Sequence, residues 1–452
     1  MSLIKAKSKT RPPMAKRKKL SGFPEWLPEE KLIEQYFIDK IRQKFELYGF
    51  SPLEPRSVEP LDVLLSKGDD KEIYLLNRLH SEKQAEFGLH FDMTVPFARF
   101  VEQNRGQLIF PFKRYQIQKA WRGERPQEGR YREFYQADID VVAENSLDIS
   151  YDAELPRIIL ELFAELPVPT FSLKINNRKI LSGFYQALGI TDTTATLRIL
   201  DKLDKIGKDA VLKLLIEELA IEPNIAQECL NLAMIKTPDS SFYKKVKDFG
   251  YDNELLNQGL DELKFVMDSL SDVKADVYAD LSIARGLDYY TGTVFESELA
   301  GYERLGSVCS GGRYENLVGD DKLKLPGIGI SIGLTRILGP LFKEKRLSAN
   351  RKTPIAVLVA LVSNETKAQA NKTANSLRSR NIPTEVYHKA QNYGKQIRAA
   401  ERKGIAYICF YDPKDANKHE IKDIRTGEQF PIDINTWLLP EADSKITVSL
   451  LK

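Results

Sequence analysis

The chain has 452 residues, of which 42% are hydrophobic and 29% are charged, and its formal net charge is +3. A chain of this length exceeds one ordinary domain, so two or three domains are expected, and the composition is typical of a soluble globular protein. No apolar run reaches the roughly 20 residues that a membrane helix needs, and no apolar stretch follows the basic start as in a secretory signal. These features favour a cytoplasmic protein without a membrane partner.

The three cysteines, Cys229, Cys309 and Cys409, stand alone, without CxxC spacing. This pattern predicts three small buried side chains in a reducing compartment rather than a zinc site. The four histidines are scattered and show neither metal-ligand spacing nor a Ser-His-Asp arrangement. No metal ligands can be assigned from the sequence.

Residues 1–19 contain eight Lys or Arg and no acidic residue. Such a block is expected to be disordered, and it would either attract nucleic acid non-specifically or serve only as a solubilising tail. Met14 offers a second translation start, so the first thirteen residues carry no functional argument.

A helix is predicted from Pro28 to about Gly49, because apolar residues recur there at helical spacing and Glu29 and Glu30 suit the positive end of the helix dipole. The segment FSPLEPRSVEPLDVLL then predicts an extended strand punctuated by prolines. From about 68 to 142 the runs EIYLL, LHFDMTVPF and PFKRYQIQKAWR predict further strands. Short turns between sequential strands indicate an antiparallel sheet.

Residues 178–272 change to amphipathic helical patterns, which predicts a helical insertion before the sheet resumes at 273–343. A polar run without periodicity, 344–354, is interpreted as a linker. Strand and helix patterns then alternate over 355–440, which predicts a small α/β domain, followed by a tail over 441–452. Residues 355–452 hold 15 Lys or Arg against 11 Asp or Glu, a mild excess of +4 that is compatible with RNA contact.

Arginines stand at three separate places in the chain. Arg122 ends a strand-like run, and the loop between it and Gln136 carries three more arginines, Arg125, Arg130 and Arg132. Arg285 and Arg336 lie in two later glycine-containing segments. Because a guanidinium stays charged and meets phosphate oxygens with paired donors, this arrangement predicts a triphosphate and an anionic co-substrate held from several sides.

These segments carry a family resemblance. The stretch RGERPQEGRYREFYQ (122–136) resembles motif 2 of the class II aminoacyl-tRNA synthetases, and GISIGLTR (329–336) resembles motif 3. ARGLDYYTGTVFE (284–296) and SGGRYENLVG (310–319) are similar to the two signature peptides of the histidyl-tRNA synthetase family. The resemblance runs from about residue 20 to about 440.

The resemblance implies an α+β fold: a class II antiparallel sheet with flanking helices over 20–177 and 273–343, a helical insertion over 178–272, and an anticodon-binding domain over 355–440. In the family the insertion meets the acceptor arm of the tRNA, although a purely structural helical lobe is the alternative. The helix and strand after residue 28 look like motif 1, which would place Pro55 at the interface of a homodimer. An exposed edge strand with prolines is the competing interpretation.

The implied activity is that of a histidine–tRNA ligase, which activates L-histidine with ATP and Mg²⁺ to histidyl-adenylate and pyrophosphate and then charges tRNA(His). By motif position Arg122 would hold the α-phosphate, and Arg285 would bridge it to the histidine carboxylate. Arg130 and Arg336 would hold the outer phosphates. Arg285, Arg122 and Gln136 are the residues predicted to act in catalysis.

The resemblance also implies roles in recognising the two substrates. Phe134 and Arg336 would enclose adenine, while Glu124 would accept a hydrogen bond from its amino group. Asp140 and Tyr290 would contact the imidazole, which would exclude apolar amino acids because they leave buried partners unpaired. The remaining residues predicted to bind histidine are Asp92, Thr94 and Gln136 at the α-ammonium, Arg285, Tyr289 and Gly311. Gly311 and Gly312 would let the backbone come close to the bound amino acid, and Arg313 with Tyr314 would line the pocket.

Two alternatives belong to other classes of function. The first is a regulatory paralogue that senses histidine without catalysis; such proteins tend to lose phosphate-binding arginines or the anticodon domain. This chain keeps Arg122, Arg285, Arg336 and a C-terminal domain, which favours the enzyme. The second is a class II synthetase for another amino acid, against which the LDYYTG string argues.

Overall fold

A computed structural model describes residues 19–67, 71–80, 84–283, 290–317 and 324–451. Of the basic block predicted to be disordered, all but Lys19 lies outside the described residues. The strands, in chain order, are β1 (Ser51–Pro52), β2 (Val58–Pro60), β3 (Leu75–Leu76), β4 (Phe87–Leu89), β5 (Phe112–Trp121), β6 (Glu133–Val142), β7 (Phe171–Asn177), β8 (Lys236–Thr237), β9 (Asp276–Asp280), β10 (Thr293–Leu299), β11 (Cys309–Tyr314), β12 (Gly327–Ile332), β13 (Leu347–Ala349), β14 (Val357–Val359), β15 (Thr384–Val386), β16 (Tyr407–Asp412), β17 (Asp415–Asp423), β18 (Gln429–Ile432) and β19 (Val448–Leu450).

The helices of the described residues connect and cover these strands, and none of them has both the length and the apolar character needed to cross a membrane. They are α1 (Pro28–Leu47), α2 (Leu61–Leu64), α3 (Thr94–Asn104), α4 (Ser150–Glu165), α5 (Arg178–Ala187), α6 (Thr193–Leu200), α7 (Leu203–Ile206), α8 (Lys208–Leu219), α9 (Pro223–Ala233), α10 (Phe242–Lys247), α11 (Glu254–Ser269), α12 (Leu334–Lys343), α13 (Lys367–Arg378), α14 (Tyr393–Arg402) and α15 (Glu441–Ser444).

The largest sheet in the described part of the chain has nine strands in the order β1-β5-β6-β12-β11-β10-β7-β9-β8. Its neighbouring strands run antiparallel except at β1–β5 and β7–β9. The predicted antiparallel sheet is therefore confirmed. Three of its central strands, β6, β12 and β11, overlap the segments that carry the motif resemblances.

Helix α1 confirms the first predicted helix. It begins at Pro28 and ends two residues before Gly49, whose φ of 78° suits glycine at the end of a helix. Phe37 and Phe45 of its apolar stripe are fully buried in the main core. Glu30 accepts a hydrogen bond from the backbone N–H of Leu27, which closes the first turn.

The proline-rich segment after α1 differs from the single strand that was predicted. It splits into β1, which joins the large sheet, and β2, which joins a separate three-stranded sheet in the order β2-β4-β3 before the chain turns into α2. Pro52, Pro55 and Pro60 explain the breaks, because a proline cannot donate to a strand ladder.

The prediction that LHFDMTVPF is a strand was wrong beyond Leu89. The chain enters helix α3 at Thr94, and the Asp92 carboxylate accepts a hydrogen bond from the backbone N–H of Val95 at 3.0 Å. By accepting a backbone N–H of the first turn, an Asp stabilises the start of a helix. This effect is larger here than the weak preference for a strand that the short apolar alternation gives. This turn brings Asp92 and Thr94 to the end of the helix rather than along a strand.

The segment predicted as a helical insertion contains α5 to α11. Its apolar side chains, such as Leu197, Leu215 and Leu260, belong to the same core cluster as those of the large sheet. Strand β8, which lies within the segment, pairs with β9 at the edge of that sheet. The segment therefore shares its packing with the sheet.

The C-terminal α/β prediction is confirmed by a five-stranded mixed sheet in the order β15-β14-β16-β17-β18. Strand β14 runs parallel to both of its neighbours, while β16, β17 and β18 are antiparallel. A separate core cluster fills this domain.

The predicted linker and tail are more ordered than their polar composition indicated. Strand β13, from the linker, pairs antiparallel with β19, from the tail, and Asn350 donates its backbone N–H to Thr447 at 3.0 Å. Leu347 and Val448 from these strands are buried in the core of the large sheet. The linker assignment stays a prediction, but strand β13 within it was not foreseen, because two apolar residues, Leu347 and Ala349, give no periodic signal in a polar run.

Candidate active site

A cavity of about 230 Å³ lies over the central strands of the large sheet. Nine of the predicted site residues line it: Asp92, Thr94, Arg122, Glu124, Arg130, Phe134, Gln136, Tyr290 and Arg336. A smaller cavity of about 40 Å³ adjoins it and is lined by Asp140, Tyr290 and Tyr314, among others. The structure thus brings together residues that are spread over some 240 positions of the sequence.

Strand register builds the floor of both cavities. On β6, the side chains of Gln136, Asp138 and Asp140 alternate with buried apolar residues and share one face. Two rows of facing residues cross β5, β6, β12 and β11: Arg114, Asp140, Gly329 and Gly312 in one, and Gln116, Asp138, Ser331 and Ser310 in the other. A Cβ atom on Gly329 would collide with the Asp140 carboxylate, so glycine leaves room for that side chain.

Two arginines of the large cavity are oriented by backbone carbonyls. Arg122 donates from Nε to the carbonyl oxygen of Phe91 at 3.0 Å. Arg336 donates from Nε to Gly129 at 3.0 Å and from Nη1 to Ser307 at 2.6 Å. A carbonyl carries no net charge, so these bonds fix each guanidinium without cancelling its charge. The arrangement suits an anionic ligand.

The outer wall of the large cavity comes from the loop between β5 and β6. Arg130 lies 3.4 Å from the Glu124 carboxylate, and the Arg122 guanidinium lies 5.1 Å from the centre of the Phe134 ring. Arg125 and Arg132 of the same loop do not line the cavity. Instead, Arg132 donates to the carbonyl oxygen of Glu124 and shapes the loop.

Hydrogen-bond acceptors also line the large cavity. Gln136 donates from Nε2 to the Ser331 hydroxyl at 2.7 Å, while its Oε1 is buried and accepts no hydrogen bond among the described residues. The Asp92 carboxylate and Thr94 line the same cavity. This set of oxygens can accept hydrogen bonds from an ammonium group.

The small cavity lies beside a buried ion pair. Arg114, which is 0% exposed, lies 2.7 Å from Asp140 and stacks on Phe97 at 4.2 Å. The Tyr314 hydroxyl donates to the same carboxylate at 3.2 Å. Burial, and then the charge of Asp140, raise the pKa of Tyr290, which keeps its phenol protonated.

Besides Arg313, four predicted site residues are not placed at the cavities. Arg285 and Tyr289 lie outside the described residues. Gly311 and Gly312 line neither cavity; a Cβ atom on Gly311 would collide with the carbonyl oxygen of Gly329 on the neighbouring strand, so this glycine allows the strands to approach. The roles of all four in binding histidine stay predictions.

The prediction that Arg313 lines the pocket was wrong. Its guanidinium bonds Asp152 of α4 at 3.1, 3.0 and 2.5 Å and also donates to the carbonyl oxygens of Leu147 and Asp148. Alternation along β11 places Arg313 on the opposite side of the sheet from Gly312. Arg313 therefore joins α4 to the sheet.

Sequence reasoning missed several residues of the cavities, above all Asp138. Its carboxyl is buried, and burial raises its pKa to about 7, although Arg114 and Ser331 act in the opposite direction. The alternation Gln136-Ala-Asp138-Ile-Asp140 was the signal that could have identified it. Ser310 and Ser331 had no comparable signal, because only the strand register brings them to Asp138.

The cysteine prediction is confirmed, since all three thiols are free and buried. Burial raises the pKa of Cys229 and of Cys409 to about 12, so neither is a reactive thiolate. In the part of the chain that the structure describes, no three His, Cys, Asp or Glu side chains are grouped to hold a metal ion.

The antiparallel-rich sheet, with the arginines of motifs 2 and 3 facing one cavity, is the architecture of a class II aminoacyl-tRNA synthetase. A family model described as histidyl-tRNA synthetase matches residues 22–337, and an anticodon-binding domain model matches residues 356–438. The chain belongs to the histidyl-tRNA synthetase family.

Several relatives match almost the whole chain. A histidine–tRNA ligase of Thermobifida fusca is 51% identical over 425 residues, covering 92% of this chain and 97% of that protein. Another, of Cutibacterium acnes, is 49% identical over 445 residues, covering 95% and 98%. The crystal structure of histidyl-tRNA synthetase from Nostoc sp. PCC 7120 matches with a TM-score of 0.84 and 39% identity, covering 92% of this chain and 96% of that chain. The resemblance and the fold class inferred from the motifs are confirmed.

Proposed function

We propose that this chain is a histidine–tRNA ligase that activates L-histidine with ATP and transfers it to tRNA(His). The observation that carries the proposal is one cavity lined both by oriented arginines and by buried acceptors. Two anions, a carboxylate and a triphosphate, can meet in this cavity. The relatives named histidine–tRNA ligase support the choice of amino acid.

In the first step, a carboxylate oxygen of histidine bonds to the α-phosphorus of ATP while the bond to pyrophosphate breaks. Negative charge concentrates on the α-phosphate in the transition state, where fixed cations lower its energy. Among the described residues, Arg122 would supply such a cation at the α-phosphate. By family resemblance, Arg285 would supply a second one. Arg130 and Arg336 would hold the outer phosphates.

Adenine would lie between Phe134 and Arg336, with Glu124 accepting from its amino group. Mg²⁺ would enter with ATP, held mainly by phosphate oxygens. In the second step a ribose hydroxyl of the tRNA attacks the histidyl carbonyl, and a phosphate oxygen of the adenylate accepts its proton. AMP then leaves.

Histidine selection would rest on the small cavity. Asp140, fixed by Arg114 and Tyr314, and Tyr290 would contact the imidazole, while Asp92, Thr94 and Gln136 would hold the α-ammonium. An apolar side chain of similar size would leave these buried groups unpaired, which costs about 1–3 kcal/mol for each group.

Amino-acid-dependent exchange of pyrophosphate into ATP tests the proposal. Exchange run with each of the twenty amino acids should proceed with histidine alone, and the same protein should charge tRNA(His). Histidine binding without exchange would instead support the regulatory paralogue. Exchange with a different amino acid would contradict the assigned specificity.

The homodimer belongs to this proposal as well. Four apolar side chains at the three-stranded sheet and at the 3₁₀ turn that follows α2 are exposed to solvent: Val58, Leu65, Leu75 and Phe87, at 40%, 43%, 62% and 46%. Exposed apolar groups collected in one region are typical of an interface. A second copy covering them would place the partner near Pro55, as the motif 1 resemblance implies. The proposal also holds that the C-terminal domain binds the anticodon of the tRNA. It further holds that the protein is located in the cytoplasm.

Leu75→Glu tests the dimer, because a buried charge at an interface is costly. Sedimentation equilibrium should show a dimer for the unaltered chain and a monomer for the variant. Leu438→Glu, at an equally exposed leucine of the C-terminal domain, should leave the dimer intact. A monomeric unaltered chain would contradict the dimer without affecting the ligase proposal.

A further inference from the structure

A row of buried polar side chains runs along β5, and only its first member, Arg114, has a part in the proposed function. The row consists of Arg114, Gln116 and Gln118, which are 0%, 1% and 8% exposed. Alternate residues of a strand point to the same face, so the three side chains stand side by side. A buried polar row of this kind is costly unless its members are hydrogen-bonded.

Each member of the row is joined to the next by a hydrogen bond. Arg114 donates from Nη1 to Gln116 Oε1 at 3.2 Å, and Gln116 donates from Nε2 to Gln118 Oε1 at 2.6 Å. Gln118 then donates from Nε2 to the carbonyl oxygen of Pro55 at 3.2 Å and to the Ser57 hydroxyl at 2.9 Å. The row therefore ends on the proline-punctuated segment between β1 and β2.

The two ends of the row permit only one direction for its hydrogen bonds. A guanidinium can only donate and a proline carbonyl can only accept, whereas a glutamine amide has one donating and one accepting end. Both amides must therefore direct their oxygen towards Arg114 and their nitrogen towards Pro55. Reversing either amide would bring two donors or two acceptors face to face.

The amide of Gln116 belongs to this row although another acceptor stands opposite it. Asp138, which faces Gln116 in the register of β5 and β6, has a buried Oδ1 without a hydrogen-bond partner among the described residues. Gln116 donates along its own strand instead. The row is thus continuous from the Pro55 carbonyl to the Arg114 guanidinium.

The row supplies an orientation that the other neighbours of Arg114 do not. Stacking on Phe97 at 4.2 Å fixes the plane of the guanidinium, but an aromatic face sets no preferred rotation within that plane. The bond to Gln116 fixes this rotation, and it thereby directs Nη2 to the Asp140 carboxylate, 2.7 Å away. Since Asp140 lines the small cavity, the row reaches the site from behind.

We propose that Gln116 and Gln118 are positioning residues for histidine recognition, which hold Arg114 and, through it, the Asp140 carboxylate in the orientation that contacts the imidazole. The proposal rests on the proposed function and extends the site by two residues that line neither cavity. An acceptor that is oriented in advance need not be ordered when histidine binds, which favours binding.

Gln118→Met tests the proposal, because methionine keeps the approximate length of the side chain but removes the amide. The variant should raise the dissociation constant and the KM for histidine by about 5- to 20-fold, the range for one or two lost hydrogen bonds. Its kcat in pyrophosphate exchange and its KM for ATP should change by less than about 2-fold, as for a loss of uniform binding of one substrate. Calorimetric titration with histidine and steady-state exchange kinetics measure these constants.

A double variant shows whether the two glutamines act as one row. Gln116→Met should raise the dissociation constant for histidine at least as much as Gln118→Met does. Adding Gln118→Met to it should raise the constant little further, because the row is already interrupted. Effects that multiply in the double variant would show two independent residues and would contradict the row.

Gln396→Met is the control for the loss of a buried amide, because Gln396 is 0% exposed and bonds the backbone of Leu361 and Gln391 in the C-terminal domain. It should lower the stability of that domain and leave the affinity for histidine unchanged. If Gln118→Met does not fold, Gln118→Asn, whose amide is one carbon too short for the row, gives the same comparison.

Two results for the Gln118 variant would overturn the proposal: an unchanged affinity for histidine, or equal rises in KM for histidine and ATP. A merely structural role does not separate the two substrates. Failure of the unaltered chain to exchange with histidine would instead contradict the proposed function, while the titration with histidine still tests the row.

Discussion

Replacing Arg122 by alanine is expected to lower kcat for histidine-dependent pyrophosphate exchange by about 10²–10³-fold. The guanidinium is oriented by the carbonyl oxygen of Phe91 before any substrate binds, so its charge needs no reorganisation when the α-phosphate gains charge. A donor that acts mainly on the transition state affects kcat more than KM. Steady-state exchange kinetics at varied ATP and histidine concentrations measure both.

Arg125→Ala is the matched control for Arg122, since this arginine belongs to the same loop, is exposed and does not line the cavity. Its exchange rate should stay close to that of the unaltered chain. Arg122→Lys should recover only part of the activity, because an ammonium keeps the charge but lacks the paired donors. An equal loss in Arg122→Ala and Arg125→Ala would show that the loop acts through its overall charge, contrary to our assignment.

Asp152→Ala is expected to lower the free energy of unfolding of the catalytic domain by about 3–5 kcal/mol. The variant leaves the Arg313 guanidinium, 7% exposed, without the carboxylate that accepts three of its contacts. A buried charge without its partner cannot recover its lost hydration. Denaturant unfolding followed by circular dichroism measures the change, provided that the slope of the transition is the same for both proteins.

Asp148→Asn is the control for this loss, because Asp148 is exposed and its side chain bonds the neighbouring Ser150, through the backbone N–H and the side chain. It should destabilise the domain by well under about 1 kcal/mol. Under conditions where the Asp152 variant remains folded, its KM for histidine should be unchanged. A raised KM with full stability would return Arg313 to the pocket, where the sequence had placed it.

The large sheet and most of the cavity were predictable because long, periodic segments and multi-residue motifs specify them. Helix α1 and strands β5 and β6 follow from apolar spacing, and the arginines of the cavity follow from the motif resemblance. Arg313 and Gly311 were harder, because assigning them needs the face of a strand, and a one-residue step reverses that face. Helix α3 was missed because a single residue, Asp92, indicates its start, whereas the apolar alternation that suggests a strand extends over several residues.

Asp138 shows a different limit. Its identity as a buried acid was readable from alternation on β6, but its unpartnered oxygen depends on which residues β5 and β12 place beside it. Register between strands distant in sequence cannot be obtained from local patterns. For the same reason, the pairing of β13 with β19 could not be predicted, since these two strands are almost 100 residues apart in the sequence.

The pairing of β13 with β19 also determines how the anticodon-binding domain is attached. The chain leaves the catalytic core after β13, builds the whole domain, and returns to the same core through β19. The domain is therefore held at both of its ends, as an inserted domain would be, although it stands last in the sequence. A single cut between residues 351 and 354 would leave the two pieces joined by these strands.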